Sequence, residues 1–227
     1  MASPARRSSY RHGDLSGALL AAGIDLARGG GPGAVVLREA TRRAGVSPNA
    51  AYRHYADHRA LLGAVCAAAM SQLAVAMEAE LAAVPAGGPA QTARARFRAV
   101  GAGYLRYAQD EPGLFRTAFA GVDPSGDAAP PAAVPAAHGA SGLTPFELLG
   151  VALDDLVAVG LLAPGRRPDA AHVAWSAVHG LAMLVIDGPL QELGTDRRAE
   201  VGRALLDMVE RGLLGQPAAG AEPVTGG

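Results

Sequence analysis

The sequence predicts an all-α protein, with an N-terminal three-helix head containing a helix-turn-helix followed by a helical bundle. Half of the 227 residues are apolar, only 4% are aromatic and Ala dominates, a composition that favours helices over sheets. Residues 37–55, LREATRRAGVSPNAAYRHY, read as two short helices joined by a turn. Further along, apolar residues recur at helical spacing in runs separated by Pro- and Gly-rich breaks.

Residues 14–28 form the first expected helix, with Leu15, Ala18, Leu19, Ala22 and Leu26 on one face, supporting the motif from behind. GGGPG at 29–33 ends it. In the helix that follows, Leu37, Ala40, Thr41 and Ala44 keep the spacing of one face, while Arg38, Glu39, Arg42 and Arg43 point elsewhere. Gly45 suits the left-handed stop. Ser47 is a good N-cap and Pro48 suits the first helical position, so a second helix is expected through Asn49, Ala50, Ala51, Tyr52, Arg53 and His54.

That second helix carries the case for nucleic acid. Val46, Ala51 and Tyr55 fall on the side that packs inward, leaving Asn49, Ala50, Arg53 and His54 outward with Tyr52 at the flank. Small residues let a helix sit deep in a major groove, Arg and Asn read purine edges, and an alanine methyl touches the thymine methyl. Its N-terminus presents free N–H groups to phosphate. Charge is placed to match: residues 1–60 hold nine Arg against four acids, +5, and the remainder eleven Arg against seventeen acids, −6. Residues 1–11 read as a flexible arm, with Arg11 the candidate for phosphate or minor groove. Arg6-Arg7 does not read as an export signal, because the apolar run that follows is short and bracketed by charge. One cysteine, Cys66, excludes an internal disulfide and a Cys-based metal site and fits a reducing cytoplasm.

From His58 a long helix is expected to about residue 84, with Leu61, Leu62, Val65, Ala69, Leu73 and Met77 apolar. PAGGP at 85–89 breaks it. Residues 91–109 form an amphipathic helix with Phe97, Val100, Gly101, Tyr104 and Leu105 inward, and Pro112 opens a short one. Residues 121–142 are Pro-, Ala- and Gly-rich and read as mobile, either a lid or a plain loop. Thr144-Pro145-Phe146-Glu147 is a capping-box start for a helix to about 162. Two more helices follow, 170–186 and 195–214, and the tail at 215–227 is expected to be disordered. The first of these is apolar on nearly every side, yet reads as too short and too marked by His172 and His179 to span a membrane. Together with Val201, Leu205, Met208 and Val209 it suggests a two-helix patch that doubles into a four-helix bundle across a two-fold axis.

YRHGDL at 10–15, LREATRRAGVS at 37–47, AYRHYADHRALLGAV at 51–65 and the helical stretch between them resemble the N-terminal domain of the tetracycline-repressor (TetR) family of transcription regulators. AWSAVHGLAMLVIDG at 174–188 is similar to the Trp-His-Gly C-terminal domain of one branch of that family. The resemblance implies a DNA-binding domain with connecting helix over 12–79, its motif at about 35–55, and an effector-binding and dimerisation domain over 80–214. It also implies that Tyr52 and His54 meet the DNA backbone, and that Asn49, Ala50 and Arg53 lie at or beside base-facing positions. Where the family commonly has Thr or Ser capping the second helix this chain has Val36, which shifts weight onto Arg38; where a Lys is common it has His58, charged only part of the time near neutral pH. An apolar effector cavity is implied, with Tyr104, Tyr107, Phe115, Phe119, Trp175, His179 and Met183 as its candidate lining. Trp175 and His179, four apart on one helix, also read as a structural pair seeking hydrogen-bond partners.

Two other classes of function fit less well. No GxSxG, HExxH or Walker-type loop is present, and the grouping of His172, Ser176 and His179 comes with no catalytic motif, so no enzyme, cofactor or metal is expected. A DNA-compacting architectural protein would spread its positive charge beyond the head. The expectation is therefore a cytoplasmic homodimer on double-stranded operator DNA, more a repressor than an activator, released by a mostly apolar small molecule.

Overall fold

The computed structural model describes residues 15–120 and 137–215. The arm with Arg11, the stretch 121–136 and the tail from 216 lie outside the described residues. Among the described residues there is no strand; the helices are α1 (Leu15–Gly30), α2 (Leu37–Ala44), α3 (Pro48–Ala51), α4 (His58–Ala82), α5 (Pro89–Asp110), α6 (Pro112–Ala118), α7 (Pro145–Ala158), α8 (Arg167–Ile186) and α9 (Thr195–Leu214).

These helices divide into two compact units. The first takes the described residues up to Met70 and those of Glu111–Ala137; the second takes Ser71–Asp110 and the described residues from His138 onward. The division therefore falls inside α4, not at its end, and α6 joins the N-terminal helices. The reason is packing: α6 lies so close on α1 that a Cβ at Gly113 would meet the carbonyl oxygens of Ala27 and Arg28 at 2.4 Å.

In the first unit Leu19, Leu26, Leu37, Ala40 and Leu61 are buried from three successive long segments of the chain. This is the inward face that the periodicity marks, although Leu15 and Ala18 at the start of α1 are only half-buried. In the second unit α5 is the central helix, packed on α7, α8 and α9. Its Phe97, Val100, Gly101, Tyr104 and Leu105 are all buried, as the spacing predicts.

Two expected helices end early. The α3 helix is a single turn: beyond Ala51 the N–H groups of Arg53 and His54 bond only three residues back, to Ala50 and Ala51, and the ladder tightens and stops. The α7 helix ends at Ala158 instead of 162, because Gly160 turns left-handed at φ 73 and brings Leu162 back into the core. Residues 137–142, the end of the Pro-, Ala- and Gly-rich stretch, form a turn hydrogen-bonded to Ser71 and Glu78 of α4. Length does not argue against a membrane span. The α8 helix with its leading 3-10 turn covers 23 residues, and it and α4 are both long and apolar enough to cross a bilayer. Packing against α5, α7 and α9 covers part of the apolar surface of α8, while Val173 and Leu184 stay exposed.

The α4–α5 crossing in the second unit is close, for a Cβ at Gly103 would sit 2.6 Å from Met77 Cα. Because that neighbour is backbone, Gly103→Ala is expected to destabilise by about 1–3 kcal/mol, read as a lower denaturation midpoint with unchanged slope.

Candidate nucleic-acid interface

The helix-turn-helix is built by local rules. Val36 caps α2 with extended backbone and no side-chain hydrogen bond, so the contact that a Thr or Ser would supply is missing. Gly45 stops α2 at φ 67, ψ 31, with its own N–H on Arg42 O and the Val46 N–H on Thr41 O, a Schellman closure that requires φ > 0. Ser47 Oγ then accepts the Ala50 N–H at 3.3 Å and Pro48 occupies the first helical position. That cap uses one of the N–H groups expected to face phosphate.

What lies beneath α3 fixes what lies above it. Ala51 is completely buried and Tyr55 nearly so; the Tyr55 hydroxyl meets both the hydroxyl and the carbonyl of Ser16 on α1 at 3.3 Å. With these two turned inward, Ser47, Pro48, Asn49, Tyr52, Arg53 and His54 are exposed, and Ala50 is half-buried. Tyr52 is the most open of the large apolar side chains on this surface, 56% exposed. Arg38 on α2 and His58 at the start of α4 are exposed as well.

The arginines of α2 differ in availability. Glu39 accepts from Arg42 at 2.7 Å and from Arg43 at 3.2 Å. The hydrogen bond from Arg42, then that from Arg43, hold its carboxyl down to about 2. Among the described residues Arg38 and Arg53 make no ion pair. The surface thus offers two unengaged guanidiniums, an amide, a phenol and an imidazole around a small alanine, which is what base-edge and phosphate contacts use.

In the second unit the candidate effector residues separate. Trp175 Nε1 donates to the Tyr104 hydroxyl at 3.2 Å, and that hydroxyl lies 2.8 Å from His179 Nδ1. The sequence reading of Trp175 and His179 as a pair in need of partners is met by one tyrosine. Burial raises the Tyr104 phenol well above its ordinary value and lowers His179 below 6.5. The phenol therefore stays protonated and the neutral imidazole accepts from it. Phe146 extends the cluster, 5.8 Å from Trp175 and 5.7 Å from His172 between ring centroids. Tyr107 is buried and Met183, one turn beyond His179, is half-buried. Phe115 and Phe119 belong to the first unit, where their rings pack at 5.1 Å. A separate groove of about 440 Å³ lies among α4, α5 and α9, lined by Val84, Arg98, Ala99, Arg203 and Leu206 among others, and by none of these seven.

Residues 97–209 match the family described as "Tetracyclin repressor-like, C-terminal domain". The chain belongs to the TetR family of transcriptional regulators. A Rhodococcus sp. RHA1 protein of unknown function shares 28% identity at a TM-score of 0.72, with 92% of this chain and 100% of that one covered. A TetR family transcriptional regulator from Thermus thermophilus, PfmR, superposes at TM-score 0.54 and 22% identity over 86% of this chain and 98% of its own. A TetR variant from Acinetobacter baumannii AYE, solved in complex with minocycline, does so at 0.52 and 20% over 86% and 94%. These last two share the fold. No curated protein matches the chain in sequence.

For this TetR-family chain, sequence reasoning missed Phe146 and His172 as members of the aromatic cluster. His172 stands three residues before Trp175 on α8, a spacing that places both on one face. Phe146 carries no comparable signal, since its place is set by the turn before α7. The pairing of Glu39 with Arg42 and Arg43 is legible at i+3 and i+4, but a count of charge hides it.

The lowered pKa of His179 has a pH consequence. Its neutral form stabilises the fold fully above about 6.5, and that contribution is lost as pH falls from there through the depressed folded value. A thermal melt repeated from about pH 7.5 to 5.5 is therefore expected to show a smaller drop in Tm for His179→Phe than for the parent.

Proposed function

We propose that the chain is a homodimeric repressor whose two α3 turns enter successive major grooves of a palindromic operator, and which a mostly apolar small molecule releases. The observation that carries this reading is the set of side chains above the buried Ala51 and Tyr55: Asn49, Ala50, Tyr52, Arg53 and His54, with Arg38 beside them. Arg53 and Asn49 are the candidates for base edges, and Ala50 for a thymine methyl. Ser47, Pro48, Tyr52, His54, His58 and Arg38 are the candidates for backbone, with Arg11 reaching from the arm. Half-sites read this way stand about one helical turn apart, roughly 34 Å.

Support for the dimer comes from α8 and α9, the sequence-based pair 170–186 and 195–214. On α8, Val173, Ala177, Gly180 and Leu184 recur at one helical face, with Val173 54% and Leu184 44% exposed; a Cβ added at Gly180 would meet nothing within 4 Å. On α9, Val201, Leu205 and Met208 continue the apolar surface, Met208 63% exposed. An apolar two-helix face of this kind is self-complementary about a two-fold axis. For the effector, Tyr104, Tyr107, Trp175, His179 and Met183 are the nearest to a constellation, with Phe115 and Phe119 as further candidates. The minocycline held by a structural neighbour supports a ligand-responsive body. The assignment to the Trp-His-Gly branch and a cytoplasmic location belong to this same reading, as does the absence of catalysis, cofactor and membrane anchoring.

The first test is selection from random duplex DNA at two salt concentrations. A palindromic motif that survives the higher salt is expected; recovery of salt-sensitive, motif-free DNA alone would favour the architectural alternative. Tyr52→Ala and Arg53→Ala are each expected to cost about 1–3 kcal/mol on the selected duplex with the dimer intact, and unchanged binding by both would sink the recognition assignment. Met208→Glu is expected to shift the protein toward monomer in sedimentation, and a dimer that persists unweakened would remove α9 from the interface.

A further inference from the structure

The groove among α4, α5 and α9 is kept open by small side chains. Ala95, Ala99 and Ala102 line it from α5, Val84 from the segment just past α4, and Leu206 from α9. The three alanines recur at helical spacing and so share one face. Leu206 is committed to the α5 backbone, since a Cβ at Gly101 would lie 2.4 Å from Leu206 Cδ2. One turn earlier on α9, Gly202 is buried and a Cβ there would meet Leu105 Cδ1 at 3.4 Å. The α5–α9 contact is therefore tight beside the space it leaves. That space, about 440 Å³, falls within the roughly 300–1,000 Å³ of small-molecule sites.

Four charged residues line the same groove: Glu80, Arg98, Arg203 and Asp207. Three of them are engaged. Arg98 pairs with Asp207 at 2.7 Å and with Glu210. Glu210 is only 2% exposed and also accepts from Arg94 at 3.1 Å. Glu80 pairs with Arg106. Arg203 is exposed, and among the described residues it makes no ion pair and no side-chain hydrogen bond. Every acid here is matched, and one guanidinium is left over beside an apolar wall. Such a group selects a ligand with one carboxylate, whose two oxygens meet its fork of donors. An uncharged ligand would gain the walls alone, and a second negative charge would face Asp207 and Glu80.

We propose that this groove binds an apolar monocarboxylate, its hydrocarbon against Ala95, Ala99, Ala102 and Leu206 and its carboxylate on Arg203. The site is separate from the aromatic cluster: Tyr104, Trp175 and His179 do not line it, and their polar atoms bond to one another. Binding here goes beyond the repressor reading and is measured without DNA, so failure of the operator selection and failure of this site are distinguishable.

The test is calorimetric titration of the full chain with octanoate, below its micellar concentration, and with octanol as the uncharged analogue. One octanoate per chain is expected, bound about ten- to a hundredfold more tightly than octanol. Arg203→Gln is expected to bring octanoate down to the level of octanol and to leave octanol unchanged, and Arg203→Lys to restore part of the difference. Ala95→Leu and Ala99→Leu each fill the groove from α5 and are expected to abolish binding of both compounds, with helical content and the parent's oligomeric state kept; the two variants are independent, so either one that folds suffices. No saturable heat with octanoate would overturn the proposal. So would octanoate affinity that Arg203→Gln leaves unchanged, or binding that persists in the folded leucine variants, since the ligand would then lie elsewhere. A leucine variant that sediments as a smaller species than the parent would make the groove a contact between two copies of the chain, which overturns it equally.

Discussion

One helix has to satisfy two cores. The α4 helix contributes Leu61 and Val65 to the first unit and Leu73 and Met77 to the second, each of them essentially buried. Its composition is therefore apolar along nearly its whole length, and no single stripe can serve both neighbourhoods. The small residues along it answer the same constraint. Ala69 and Ala74 are fully buried, and α5 reaches the α4 backbone only because position 103 is glycine. A bulkier α4 would gain transfer energy in isolation and lose it to overpacking at the crossings.

The proposed recognition surface is the reverse side of a small, well-filled contact. Its exposed residues are held by what they do not do: Ala51 and Tyr55 point inward, and Tyr55 is tied to Ser16 on α1. A turn of only four helical residues has little stability of its own, since nucleation costs more than so short a helix returns. Its conformation is supplied by the Ser47 cap, the Gly45 closure and the buried pair beneath. The same logic governs the aromatic cluster of the second unit, where one buried phenol satisfies both an indole N–H and an imidazole nitrogen, leaving none of the three to seek water.

Much of this was legible from residue order. The Gly45-Val46-Ser47-Pro48 run specifies stop, cap and start in four letters, and Thr144-Pro145-Phe146-Glu147 does the same for α7. Helix ends were less legible where tertiary contacts set them. The shortness of α3 depends on Tyr55 being drawn toward α1, and the early end of α7 depends on Leu162 returning to the core. The aromatic cluster was half legible: Trp175 and His179 share a helix and so declare themselves by spacing, whereas Phe146 arrives from another helix through a turn that Glu78 holds. A glutamate in the middle of an apolar helix gives no sign in sequence of the amides it will accept.

The pairing of Glu39 with Arg42 and Arg43 bears on how the protein would respond to its ionic surroundings. Binding to duplex DNA is driven in large part by counterions released from phosphate, with log affinity falling by about 0.9 per phosphate neutralised for each decade of salt. A guanidinium already matched to a carboxylate releases few of those ions, because the approaching phosphate must also face Glu39. The nine arginines of the first 60 residues therefore overstate the electrostatic share of the grip. Shape and hydrogen bonding carry correspondingly more of it, and occupancy of a site would change gently when the internal ionic strength of the cell swings with osmotic stress.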